Sequence, residues 1–538
     1  MLHKLQDFAQ EGTFGGGLGT AAGGAAIADA GVATDAAPVG ADSGDLDLDQ
    51  LDEALGRITK MFDPVDYGFG TPKFPNPARL SFLLRLSHFP PEVRDFIGEK
   101  EVENATSMAL KTLRRIRDGG LRDHLGSGYM RFSVTSNWSM PHFEKMVGEN
   151  ALLLGVFLDA WLGHSRAAGK DLSLDDEFSD VVLELADYLA SPLVRAAKGG
   201  LVTSEAADSF YRRGDRHMRE GAYYLWTRRE FDQVVRGASS DDHASSVAAA
   251  YWNVQEDGNV PQDQDPFDEF INQNVLSVNA DPTELSKQFG VPPSEIRRLV
   301  SGARENLRAH REKERVRPER DEKVVVAING MAISALARTA GAVRWVDAER
   351  ADRYLQAARD AAAFIKENLW VAEGDNTVGN PLRRFFWEKP SQILAFSDDY
   401  AFLIDGLLDL YRVTTEREWL DWAIQLQGMF THPVCKSRWT LLTTTQTPKP
   451  ASFTTSSRPP PPLRQPLPRT PPRDKPTQAA STRPKQSPPS ARPSCASRAA
   501  WTSQRPRPTP SRLPTSSASA PYVATRMASG TCARPKRR

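Results

Sequence analysis

Between Gly119 and Lys145 the chain reads GGLRDHLGSGYMRFSVTSNWSMPHFEK, its densest run of groups able to do chemistry. Two of the nine histidines lie here, His124 beside Asp123 and His142 two residues before Glu144. Imidazole together with carboxylate is what general acid–base catalysis needs near neutral pH. Arg131 and Trp138 complete the group, and four glycines permit tight turns that aim polar side chains at one point. A second set, Glu205, Asp208 and Trp226, follows on a short β-like insert. Carboxylates accept hydroxyl protons and an indole face packs on C–H surfaces, so this set suits a polyhydroxylated ligand.

Taken singly, each of these residues reads as structure: a helix cap, a helix-orienting contact or a tight corner. Taken as a cluster, they predict a ligand-lined cavity. His142, Glu144, Asp123 and His124 are then the catalytic candidates; Arg131, Trp138, Glu205, Asp208 and Trp226 are the binding candidates. No HExxH or facial-triad spacing occurs, so no metal is expected, and no cofactor motif is read. Gly15–Gly19 lacks the preceding strand and following helix of a phosphate-binding turn.

The elements that must position these residues are helical. Apolar side chains recur every three to four residues over Leu46–Phe62, Leu80–His88, Val102–Arg117, Asn150–Gly163, the Val181–Leu189 segment, Ala327–Ala342, Asp352–Leu369, Asp398–Val413 and Trp419–Phe430. Asn150–Gly163 is apolar nearly all round and should be buried. Leu201–Thr203 and Tyr223–Trp226 read as short β pieces around the turn-rich Ala206–Gly221. Paired helices with brief hairpins predict an all-α stack or ring of helical hairpins over residues 46–430, not a doubly wound sheet.

Composition divides the chain. Residues 441–538 hold 18 Lys/Arg against one acid and 21 of the 39 prolines, leaving 50 basic against 67 acidic groups in residues 1–440. Residues 1–45 read as a flexible Gly/Ala-rich linker, and 431–538 as a disordered basic tail too poor in apolar residues to offset the entropy of ordering. Arg534–Arg538 reads as a solvated basic end, and no nucleic-acid partner is expected. All three cysteines lie at or beyond Cys435, which excludes a disulfide scaffold, a Cys-type zinc site or a CxxC centre before it. No run of 18 apolar residues and no signal-type N-terminus is read, so an intracellular, cytoplasmic chain without a membrane span is expected.

Several stretches, in order, carry a resemblance: Asp63-Pro64 to Pro75, the Gly119–Arg131 loop, and Trp138-x-x-Pro141-His142-Phe143-Glu144-Lys145-Met146. Ser204–Ser209, Glu220–Trp226, Asp321–Lys323, Asn329-Gly330 and Asp398–Ala401 continue it. The chain resembles the spermatogenesis-associated, thioredoxin-domain-containing proteins over roughly residues 46–430. The resemblance implies an (α/α) toroid similar to six-hairpin glycosidases and sugar 2-epimerases, a small sugar ligand, and Asp399 as a further cavity residue. It also implies a preceding thioredoxin-like domain and closing helices, neither of which this sequence shows, and a tryptophan where Ile328 stands. An incomplete toroid is therefore expected. A non-catalytic scaffold remains the alternative, and thiol redox chemistry is implied only for the longer family form.

Overall fold

The computed structural model of the chain describes residues 48–431, apart from 170, 239–240, 242, 266–267 and 371–381. The linker expected over 1–45, the tail expected over 431–538 (save Thr431, which ends the last helix) and all three cysteines lie outside the described residues. Fourteen described α-helices make the body: α1 Leu48–Met61, α2 Pro77–Arg85, α3 Pro91–Ile97, α4 Glu99–Asp118, α5 Val147–Ala167, α6 Ser179–Leu189, α7 Arg228–Ala238, α8 Ala244–Tyr251, α9 Pro282–Phe289, α10 Pro293–Glu314, α11 Val326–Val343, α12 Ala348–Asn368, α13 Ser397–Thr414 and α14 Arg417–Thr431.

This is the all-α class of paired helices with short β inserts. Helix α4 shows why the pattern folds so: Val102, Ala105, Ala109, Leu113 and Ile116 recur on one face, and that face is buried. Helices α5 and α11 have no polar face and sit inside, α11 packing on α5, α12 and α13, and α5 also on α2 and α6. α11 is long and apolar enough to cross a membrane, with a mean hydropathy of 1.3, and 72% of it is buried inside the protein. Its contact with α13 is unusually close. A Cβ on Gly330 would lie 2.5 Å from the Phe402 carbonyl carbon, and one on Gly406 would lie 2.6 Å from the Gly330 oxygen. Only glycine at both positions lets these backbones meet.

The α7–α10 segment forms a second apolar cluster around Trp226, Phe231, Trp252 and Leu307, separate from the main core. The helical spacing read from the sequence named no element there. Helix α9 nevertheless carries a strong local signal: an Asp281/Glu284 capping box, Pro282 at its first position and left-handed Gly290 at its end.

Ten two- or three-residue strands tie the loops: β1 Phe132–Ser133, β2 Pro141–His142, β3 Lys145–Met146, β4 Ser204–Glu205, β5 Asp208–Ser209, β6 Arg219–Glu220, β7 Arg320–Asp321, β8 Val324–Val325, β9 Phe385–Trp387 and β10 Lys389–Pro390. All ladders are antiparallel: β1–β2, β3–β4–β7, β5–β6 and β8–β9–β10. Tyr223–Trp226, expected as a β piece, is mostly a turn with one bridge from Trp226 to Asn274. The carbonyls of Ala222, Tyr223 and Leu225 accept from the buried Arg315 guanidinium, which takes the place of a neighbouring strand.

These ladders gather the N-terminal ends of α5, α11 and α13. Val147 N–H donates to Thr203 O at 3.0 Å, Thr203 N–H to Asp321 O at 2.9 Å, and Val326 N–H to Arg384 O at 3.0 Å. Asn329 exchanges hydrogen bonds with both backbone groups of Leu201.

Candidate functional site

The Pro141–Met146 stretch alternates strictly between buried and half-buried residues. That is the period of extended chain, whose side chains point to opposite faces in turn. Phe143 and Lys145 therefore face the interior, and His142 and Glu144 share the opposite, solvent-reached face.

On the interior face, Lys145 Nζ donates to Asp123 Oδ2 at 2.8 Å and to Ser127 O at 2.7 Å. Arg311 grips the same Asp123 with two bonds, 2.8 and 3.1 Å. Glu205 accepts from Tyr188 Oη at 2.8 Å and from Arg317 at 2.9 Å. Burial pushes the Asp123 and Glu205 carboxyls up, but neighbouring cations outweigh it: Arg311 and Lys145 for Asp123, Lys145 and Arg317 for Glu205. Both carboxyls are held below their ordinary values, Asp123 well below. Asp123, Lys145 and Glu205 side chains are at most 4% exposed; Asp123 pairs with Lys145 and with Arg311, which holds the loop to α10, while Glu205 pairs with Arg317.

The opposite face is open. His142, Glu144, Glu149, Arg131 and Glu220 side chains keep between 25% and 37% of their surface. His142 Nδ1 meets Glu220 Oε1 at 2.7 Å, and its ring stacks on Phe132 with centroids 5.2 Å apart. That bond first, and the nearby Glu220 and Glu144 charges after it, raise the imidazole pKa against the effect of burial. Arg131 sits between two acids, 3.0 Å from Glu144 Oε2 and 3.3 Å from Glu149 Oε1. Burial pushes the Glu149 carboxyl up to about 7, with Glu144 adding to the rise and Arg131 opposing it. An imidazole with a raised pKa and a carboxyl titrating at about 7 thus share one accessible face.

The other candidates serve different ends. His124 is buried, its Nε2 at 2.9 Å from Gly119 O, and burial foremost brings its pKa down to about 4. Trp138 is fully buried, and its indole N–H bonds the carbonyls of Asp66 and Tyr67. Trp226 is also fully buried, with the Arg315 guanidinium 4.1 Å above its ring. Asp399 is buried at the start of α13 and accepts from Ala327 N–H at 3.0 Å and Phe396 N–H at 2.8 Å, joining two helix starts. Burial raises its pKa. Asp208 is exposed on β5, opposite Glu220 in the ladder.

The structure therefore brings His142, Glu144 and Arg131 together and leaves Asp123, His124, Trp138, Glu205, Trp226 and Asp399 as buried ties. Glu220 and Glu149 complete the open face and were not among the candidates. A lone acid in the first turn of the apolar α5 was the available signal for Glu149; nothing in the spacing ties Glu220 to His142 across 78 residues. Among the described residues, no group of three His, Cys, Asp or Glu side chains could hold a metal ion.

No protein-family model matches the chain. Over 394 residues it is 35% identical to spermatogenesis-associated protein 20 of Homo sapiens, a match covering 70% of this chain and 45% of the relative. The Mus musculus protein of the same name is 32% identical over 392 residues, with the same two shares. The chain thus spans about half the length of these relatives. Among solved structures, a GH76 α-mannanase of Bacteroides thetaiotaomicron is similar at 10% identity and a TM-score of 0.27, covering 70% of this chain and 82% of its own. A D-mannose isomerase is similar at 10% identity and a TM-score of 0.26, covering 71% and 86%. These scores are too low to speak to this chain's chemistry. Identity at this level is a different matter: over 392 to 394 residues the chain is similar to spermatogenesis-associated protein 20.

Proposed function

We propose that the face carrying His142, Glu144, Glu149, Arg131 and Glu220 binds a small polyhydroxylated ligand of the carbohydrate class and moves protons on it. One observation carries this reading. A histidine oriented by Glu220 and a carboxyl titrating near neutrality stand on the same partly exposed face, both within the field of Glu144 and Arg131. With Nδ1 engaged by Glu220, His142 Nε2 is the nitrogen left to take a proton from carbon beside a sugar carbonyl. The protonated Glu149 carboxyl gives its proton to the carbonyl oxygen, leaving an enediol. Return of a proton to the carbon, with loss of the hydroxyl proton to Glu149, restores a sugar and both groups. Arg131 stabilises negative charge on the oxygen as it develops.

A second reading, a non-catalytic scaffold, draws support from the six candidates spent on buried contacts. Melting curves with and without D-mannose, D-glucose or cellobiose separate the two, because a ligand bound only by the folded state raises the melting temperature. The sugar-binding reading expects a rise that His142→Gln or Glu149→Gln removes, with little change in the ligand-free melting temperature. It fails if none of the sugars has an effect, or if the effect survives both substitutions.

A further inference from the structure

The β5–β6 hairpin that carries Glu220 to His142 has a cationic tip. Arg212, Arg213, Arg216, His217 and Arg219 are all exposed, with Asp215 the single acid among residues 210–219. Asp215 is occupied locally, accepting from Arg212 N–H at 2.8 Å. Arg213, Arg216 and Arg219 form no ion pair and no side-chain hydrogen bond among the described residues. Glu314 lies within the field of Arg213, but it pairs with Lys313 at 2.9 Å.

The hairpin is anchored at both ends. Glu220 bonds His142, and a Cβ on Gly221 (φ +70°) would lie 2.6 Å from the Phe143 ring, so that turn is pressed against the site strand. At the other end the Tyr211 hydroxyl donates to Glu230, which Arg315 also holds at 2.9 Å. Guanidinium forks match phosphate geometry, so the three unpaired side chains of Arg213, Arg216 and Arg219, beside an Arg212 that lies 5.6 Å from the Tyr211 ring, suit an oxyanion.

We propose that this hairpin recognises the phosphate of a phosphorylated sugar whose hydroxylated part lies on the His142–Glu149 face. The inference rests on the sugar-binding reading above and adds the substrate class to it. A polyanion is the poorer fit: residues 1–440 hold 67 acidic against 50 basic groups, and that excess repels a long phosphate chain more than a single dianion.

The test uses the full chain, wild type and the Arg213→Ala/Arg216→Ala double variant, whose side chains are exposed and outside the proton-transfer cluster. Calorimetric titration compares D-mannose, D-mannose 6-phosphate, inorganic phosphate and a thymidine oligonucleotide. Wild type should bind the phosphosugar at least about tenfold more tightly than mannose, and the double variant should lose that preference while keeping its affinity for mannose. If neither sugar binds but phosphate does, and only in wild type, the anion arm stands while the sugar-binding reading fails. Equal affinity for both sugars, a preference surviving in the double variant, or tightest binding to the oligonucleotide overturns the proposal.

Discussion

Asp123 and Arg311 lie 188 residues apart in sequence and meet in a two-bond pair, each side chain at most 4% exposed. With Lys145 on the same carboxylate, the pair turns the most chemically suggestive loop of the sequence into a structural joint. Desolvating three ions is costly and is offset only while every partner is present. The loop's own glycines share the constraint, since a Cβ on Gly126 would lie 2.5 Å from Arg311 and 2.6 Å from Asp123.

Asp123→Asn should therefore cost about 3–5 kcal/mol in urea unfolding, whatever sugar is present, because Arg311 and Lys145 lose the charge that balances them. The pH dependence has a definite sign. Asp123 is depressed in the folded state, so its contribution is complete above the unfolded carboxyl pKa of about 3.9 and is lost as pH falls through the lower folded value. The variant should show a shallower loss of stability in acid than wild type. An unchanged acid limb would mean Asp123 is not the ion the structure shows.

Glu149 titrates in the opposite sense. Its folded pKa of about 7 lies above the unfolded value near 4.3, so between these pH values the folded protein holds a proton that the unfolded chain has lost. Stability should fall as pH rises across that window, and Glu149→Gln should remove that part of the slope. With 37% of the side chain exposed, solvent screening keeps the effect small. Melting temperatures from pH 5 to 8 for both proteins measure it.

The His142–Glu220 bond predicts an imidazole that titrates above about 6.5, followed by nitrogen–proton NMR. Glu220→Gln should bring it down, because the hydrogen bond to the carboxylate is the largest cause of the rise. A raised histidine stabilises fully below its unfolded pKa and loses that contribution as pH rises through the folded value. No shift on Glu220→Gln would assign the rise to Glu144 instead.

Gly330→Ala should cost about 1–3 kcal/mol, since its methyl would enter the α13 backbone at Phe402 and Leu403. Gly163→Ala is the internal control: it is also helical, but nothing lies within 4 Å, so it should be neutral or add about 0.5–1 kcal/mol. Equal effects would show that helix propensity, not the α11–α13 approach, governs position 330.

The helices with one polar face or none were legible because burial imposes a spacing that needs no partner to be read. The expected Val102–Arg117 lies within α4, and the apolar Asn150–Gly163 within α5. The α7–α10 segment escaped that reading, although α7 is strongly amphipathic and α9 is capped at both ends. The chemical loop was legible as a loop, yet its side chains could not be sorted. His142 and Glu144 looked like a pair from their spacing and do share a face, but each takes another partner, Glu220 and Arg131.

By itself the sequence determined the placement of the strongly periodic helices and the glycine-bearing turns, because periodicity and backbone freedom are local properties of the chain. Tertiary structure alone decided which polar residues became buried ties and which stayed open. That choice depends on where Arg311, Arg317 and Glu220 arrive from distant segments. A carboxylate is a buried strut where Arg311 and Lys145 together enclose it, as at Asp123, and an accessible acid where one guanidinium and water reach it, as at Glu149.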